Sequence, residues 1–178
     1  MKNRFLLYTA AISMAIVLIS GIANLSHSPG KKSGSPGDGA NCTACHAGTT
    51  QTASNWITTN IPSSGYTPGS TYTITLTGTH SGVAKFGFEL TAEDASNAKV
   101  GTFVISNSSE TQLTNANHAV THTANGVSPS NNSKSWSFDW TAPAAGTGDV
   151  TFYASLNAAN GNGHPSGDVI YDTHTAFT

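Results

Sequence analysis

The sequence predicts an all-β fold: an antiparallel β-sandwich with an immunoglobulin-like layout, built from about seven to nine short strands. Three observations point to it. Apolar and polar residues alternate with a period of two in four separate runs, as a strand with one buried face requires. Turn-forming residues separate the runs, at Pro68-Gly69, Ser81-Gly82, Asn125-Gly126, Gly146 and Gly161-Asn162-Gly163. No segment after residue 50 keeps a helical period over a useful length.

In chain order, a weaker strand is expected over 56–61. Tyr72, Ile74 and Leu76 then alternate with Thr71, Thr73, Thr75 and Thr77. Phe86, Phe88 and Leu90 alternate with Lys85, Gly87 and Glu89. Weaker strands follow over 99–106 and 118–123. Trp136, Phe138 and Trp140 alternate with Ser135, Ser137 and Asp139, and their rings read as core packing. Val150, Phe152, Ala154 and Leu156 alternate with Thr151, Tyr153 and Ser155, and a last strand is expected over 168–177.

Ahead of these strands the chain changes character. Lys2 and Arg4 precede an apolar run from Phe5 to Ile19 and small residues at Gly21 and Ala23, the layout of a signal peptide over 1–23. The run is also close to the length that spans a bilayer, so an uncleaved anchor is the alternative and the one route to a membrane. Either way the body of the protein is expected to be exported. Residues 24–50 are rich in Gly and Pro and read as a flexible linker. Residues 51–178 suffice for one domain. Charged residues make up 9% of the chain and the net charge is −2, which excludes a basic face for nucleic acid. Sequons at Asn107 and Asn131 matter only in a host that glycosylates them.

Within the linker stands Cys42-Thr43-Ala44-Cys45-His46. The spacing matches covalent c-type haem attachment, in which two thiols one short turn apart bond the porphyrin and the next residue ligates the iron. Cys42 and Cys45 are therefore expected to hold one haem c, with His46 as proximal ligand. A thioredoxin-like redox pair fits less well, because Gly34, Pro36, Gly37 and Gly39 precede the motif instead of a strand. A structural zinc site lacks a second cysteine pair, and a small disulfide is the remaining alternative.

The other iron position is open to histidine. Met1 and Met14, the only methionines, both lie in the signal segment, so cleavage removes every thioether. His27 reads as solvated in the linker, and His80, His164 and His174 as exposed at turns or the last strand. His118, Val120 and His122 share one strand face that Val120 turns inward. At roughly 3.3 Å per residue the two histidines stand about 13 Å apart, so one iron takes only one of them.

The runs at 85–92 (Lys-Phe-Gly-Phe-Glu-Leu-Thr-Ala), 135–143 (Ser-Trp-Ser-Phe-Asp-Trp-Thr-Ala-Pro) and 148–153 (Gly-Asp-Val-Thr-Phe-Tyr) together resemble the Reeler (reelin-type) domain. They are most similar to its bacterial relatives, the choice-of-anchor V proteins, which also resemble this chain in the Gly-Ser-Pro-Gly-Asp-Gly segment at 34–39 followed by C-x-x-C-H. The resemblance implies an extracellular β-sandwich. It also favours His122 as distal ligand, because Val-Thr-His-Thr at 120–123 looks like a recurring feature of those relatives; the alternatives are a structural histidine hydrogen-bonded at a strand end and an open iron site. A bis-His iron of that kind is low-spin and low in potential.

Two classes of function follow. One is an exported monohaem cytochrome that passes electrons to a redox partner protein or a small redox carrier. The other is an extracellular binding or adhesion module in which the haem or the cysteine pair serves the fold. An enzyme is not expected: there is no Gly-x-Ser-x-Gly elbow and the nine acidic residues are scattered. The loop holding Asn157, Asn160, Asn162 and Asp168 offers calcium one carboxylate and reads as plain surface.

Overall fold

The computed structural model describes residues 26–178, so the expected signal segment lies outside the described residues. Ten strands form two sheets: β1 (Thr50–Thr52), β2 (Ile57–Thr59), β3 (Thr71–Thr79), β4 (Lys85–Asp94), β5 (Thr102–Val104), β6 (Thr111–Thr114), β7 (Ala119–His122), β8 (Ser133–Thr141), β9 (Val150–Ala159) and β10 (Val169–Phe177). One sheet runs β1-β10-β9-β4-β7-β6 and the other β2-β3-β8-β5. All pairings are antiparallel except that of β1 with β10. The sandwich is the predicted one. Among the described residues no helix is long and apolar enough to cross a membrane.

The alternation does what it predicted at the core. Leu76 stands opposite Trp136 and Ile74 opposite Phe138 in one sheet, and Phe88 opposite Leu156 in the other, all buried. The sheets meet through rings: Phe88 and Trp136 have centroids 4.5 Å apart, and Trp140 meets Phe152 edge-on at 4.9 Å. Each such side chain contributes about 1.5–3 kcal/mol by leaving water.

β1 and β6 were not anticipated. β1 is Thr-Gln-Thr and exposed throughout, and β6 carries a single apolar residue, Leu113, so neither has an alternation to read. Asn115, Ala116 and Asn117 all take positive φ, at 51°, 52° and 69°. They make the turn between β6 and β7 and leave His118 exposed before the strand begins. This corrects the expectation that His118 shares a strand face with Val120 and His122.

The larger correction concerns the linker. Register lines up Thr121, Glu89, Ser155 and Asp172 across β7, β4, β9 and β10, a polar row on the face turned away from the core. Alternation alone would leave that face in water, yet Glu89, Glu93, Thr121 and Ser155 are buried. Residues 26–48 cover it as an ordered strap. Ser28 donates through its hydroxyl to Glu89, and the backbone N–H of Lys32 reaches Glu89 Oε1 at 3.1 Å. The N–H of Gly37 reaches Glu93 Oε2 at 3.1 Å. A Cβ on Gly37 would come within 2.6 Å of Glu93 Oε1, so only glycine approaches this closely. Lys99 Nζ lies 2.7 Å from Asp38 Oδ1 and 2.6 Å from Glu93 Oε1, pairing the strap with β4. Buried carboxylates demand such partners, and the strap's backbone supplies several of them.

Candidate functional site

The strap delivers the C-x-x-C-H motif to the sheet. Asn41 caps a 3-10 turn, Cys42–Ala44, accepting from Thr43 N at 3.0 Å, and His46 N donates to Cys42 O at 3.0 Å. Both thiols and the imidazole thus come from a single turn. Cys42 N donates to Ser155 Oγ at 3.2 Å, anchoring the turn on β9, while Cys45 stays exposed.

Both thiols are free. Burial pushes the Cys42 thiol up to about 12; the nearby Asp172 and Glu89 carboxylates push the same way, and only the Ser155 hydrogen bond opposes them.

His46 is held by the loop that leads into β10. Its Nδ1 lies 2.7 Å from Oδ2 of Asp168, the residue immediately before β10. Asp168 is 5% exposed. Its Oδ2 also accepts from Asn157 Nδ2 at 3.2 Å and its Oδ1 from Asn160 N at 3.1 Å. These bonds correct the reading of the 157–168 loop as plain surface: its carboxylate is buried and committed to His46.

His122 reaches the same place by a different route. It ends β7 on the side of Val120, which packs in the core. Its ring nevertheless lies against Gly87, where a Cβ would sit 2.8 Å from Cε1. Gly87 pairs with Asn157 on the strap side, so the ring has crossed to that face. The backbone N–H of Phe88 donates to Nδ1 at 3.0 Å, and Nδ1 also lies 3.2 Å from Phe88 O. When Nδ1–H donates to the carbonyl, Nε2 keeps a free lone pair. Burial pushes His122 down to about 4, helped by the charges of His27 and His46 and opposed by the Phe88 hydrogen bond. The ring is neutral at physiological pH; with Nδ1 accepting from Phe88 N–H its proton sits on Nε2, and with Nδ1–H donating to the carbonyl Nε2 is competent as a ligand.

Between them opens a cleft of about 750 Å³, bounded by the strap, β4, the end of β7 and the 157–168 loop. Cys42, Cys45, His46 and His122 all line it, with Pro29, Ala124, Val127, Ala159 and Pro165 supplying apolar wall, while the rings of Phe86 and Phe88 at its floor are turned into the core. All four sequence-predicted site residues therefore line one cleft. His118 and His80 do not: His118 is exposed at its turn, and His80 bonds Tyr171 at 2.8 Å. His27 and His164, which the sequence left in solvent, line the cleft. Among the described residues no three His, Cys, Asp or Glu side chains converge on one point as a bare metal ion would need.

The residues fit a haem. The cleft falls within the roughly 300–1,000 Å³ of small-molecule and cofactor sites. It offers two thiols and an imidazole from one turn, a second neutral imidazole, and apolar walls. Asn157, which lines it, carries a buried Oδ1 with no hydrogen-bond partner. Asp168 and Asn157 stand out in the sequence only as oxygen donors of a surface loop, and no local signal pairs them with His46. Sequence reasoning missed Gly87, which a glycine inside a strand had signalled as a place of close approach.

Comparison with known proteins places the fold. The Reeler domain model matches residues 40–160, most of the sandwich together with the C-x-x-C-H turn. The chain belongs to the Reeler family. The crystal structure of the human F-spondin Reeler domain is 25% identical with a TM-score of 0.54, covering 73% of this chain and 93% of that one. The Reelin-N domain of F-spondin is 26% identical with a TM-score of 0.53, covering 73% and 90%. A search of curated proteins returns no significant match. The Reeler match ends at residue 160, so Asp168 and β10 lie beyond it.

Proposed function

We propose that this chain is an exported Reeler module whose cleft holds one haem c, attached through Cys42 and Cys45 and ligated by His46 and His122. The convergence of these four residues on a single cleft carries the reading. Lys2, Arg4 and the apolar run to Ile19 support export, and covalent haem attachment takes place outside the cytoplasm. Bound there, iron cycling between two oxidation states would supply one-electron chemistry. Cys42 and Cys45 would attach the group, His46 and His122 would hold its iron, and the cleft wall would exclude water on the sheet side. Electron exchange with a redox partner protein or a small redox carrier is the function that follows.

Family membership favours a second reading, an extracellular binding module in which the haem or the cysteine pair serves the fold. Two measurements decide. Intact mass and a pyridine haemochrome assay on the exported protein report haem, and a bare polypeptide with a Cys42–Cys45 disulfide removes it from the account. The double variant Cys42→Ser, Cys45→Ser is expected to keep a β-type far-ultraviolet spectrum while losing the Soret band, since the aromatic core lies on the other side of the sheet. A redox titration with a small protein donor then separates the readings: a reversible iron couple supports the carrier, an inert one the binding module.

A further inference from the structure

We infer that Asp168 is a positioning residue for His46: its buried carboxylate holds the Nδ1 proton and presents an electron-rich Nε2 to the cleft, lowering the potential of a metal bound there. The inference rests on the haem reading above and names the residue that tunes that site.

The carboxylate is acceptor-only when ionised, so at 2.7 Å the ring nitrogen facing it must donate. That assigns the proton to Nδ1 and the lone pair to Nε2. Asn157 Nδ2 lies 2.9 Å from Nδ1 and 3.3 Å from Nε2; a protonated Nδ1 cannot accept from it, so its N–H groups go to Asp168 Oδ2 at 3.2 Å and to the Nε2 lone pair, which nothing else claims. The ring's other edge opens outward, for the His46 side chain is 37% exposed against 3% for that of Asp168. Charge is therefore buried behind the imidazole and the ligating face is left accessible.

The backbone holds the pair together as well. Ala47 N donates to Pro165 O at 2.9 Å, and Ala47 pairs in parallel with Ser166. A Cβ at Gly48 would come within 2.6 Å of Asp168 O, so the chain after His46 lies directly on the backbone of its partner. The imidazole is gripped at its main chain and at Nδ1 by the same loop. An outer carboxylate on a ligating histidine fixes its tautomer and raises its basicity. A full negative charge at this position favours the oxidised, more positive iron over the reduced one, whereas a neutral amide supplies no such bias.

The test uses the exported full chain, as wild type, Asp168→Asn and Asp168→Glu, with haem content measured first. With haem present, Asp168→Asn is expected to shift the reduction equilibrium at least tenfold toward the ferrous form, about 59 mV for one electron. Asp168→Glu is expected to recover most of that shift. A change below threefold in Asp168→Asn with haem retained, or equal shifts in both variants, would make Asp168 merely structural and overturn the inference. If Asp168→Asn fails to fold or to hold haem, Asp168→Glu and the wild-type tautomer decide. If wild type carries no haem, the functional reading fails by itself, and nitrogen-15 imidazole spectra of the same protein judge Asp168. A proton on Nδ1 of His46 sustains the positioning role, and a proton on Nε2 ends it.

Discussion

The imidazole of His122 lies over the backbone of Gly87, so close that a Cβ there would stand 2.8 Å from its Cε1. Strand alternation assigns His122 to the core side with Val120. Only a residue without a side chain on the neighbouring strand lets the ring turn across to the cleft. Gly87 is thus as much a part of the site as the histidine it admits.

Gly87→Ala is accordingly expected to displace the His122 ring, with an overpacking cost of about 1–3 kcal/mol. In a chain of this size each kcal/mol lowers Tm by roughly 2–4 °C. Thermal unfolding of the two proteins measures it. An unchanged Tm, together with an unchanged His122 signal in the nuclear magnetic resonance spectrum, would show that the ring does not depend on the glycine.

His122→Ala is expected to turn a low-spin ferric haem high-spin by removing one axial imidazole. Electron paramagnetic resonance of the oxidised protein reads this directly. A spectrum that stays low-spin would take His122 off the iron and direct attention to His27 and His164, which line the same cleft.

Lys99 sits between two carboxylates, Asp38 and Glu93, whose side chains are each 1% exposed. Lys99→Ala leaves both buried charges without their cation, and losses of about 3–5 kcal/mol accompany such a change. Denaturant unfolding measures the loss, and limited proteolysis should find new cleavage within residues 28–40. A variant as stable as the wild type would mean that the strap is held by its backbone bonds alone.

Glu89 gives the strap a pH dependence. Burial raises its pKa above the ordinary 4.5, against the opposing hydrogen bonds from Ser28 and Lys32 and with help from the Asp38 charge. A carboxyl with a raised folded pKa binds its proton more tightly folded than unfolded. Its stabilisation is complete below the unfolded value and is lost as pH rises through the folded one. Tm should therefore fall across the window above 4.5 more steeply in wild type than in Glu89→Gln. Parallel profiles would remove Glu89 as the source.

The sequence by itself determined what is local. Period-two alternation told which face of β3, β4, β8 and β9 is buried, because side chains on a strand point to opposite sides by backbone geometry. The spacing of Cys42, Cys45 and His46 placed three functional groups on one turn for the same kind of reason. Tertiary structure decided the rest. A polar strand face looks the same in sequence whether water or a strap covers it, so the docking of residues 26–48 on Glu89 and Glu93 was invisible. Asp168 lies 122 positions from His46, and only the register of β9 against β10, with the strap laid across them, makes the two neighbours. His122 was nameable as a ligand, but its path to the cleft depended on the residue that β4 happens to present beside it, and that residue is Gly87.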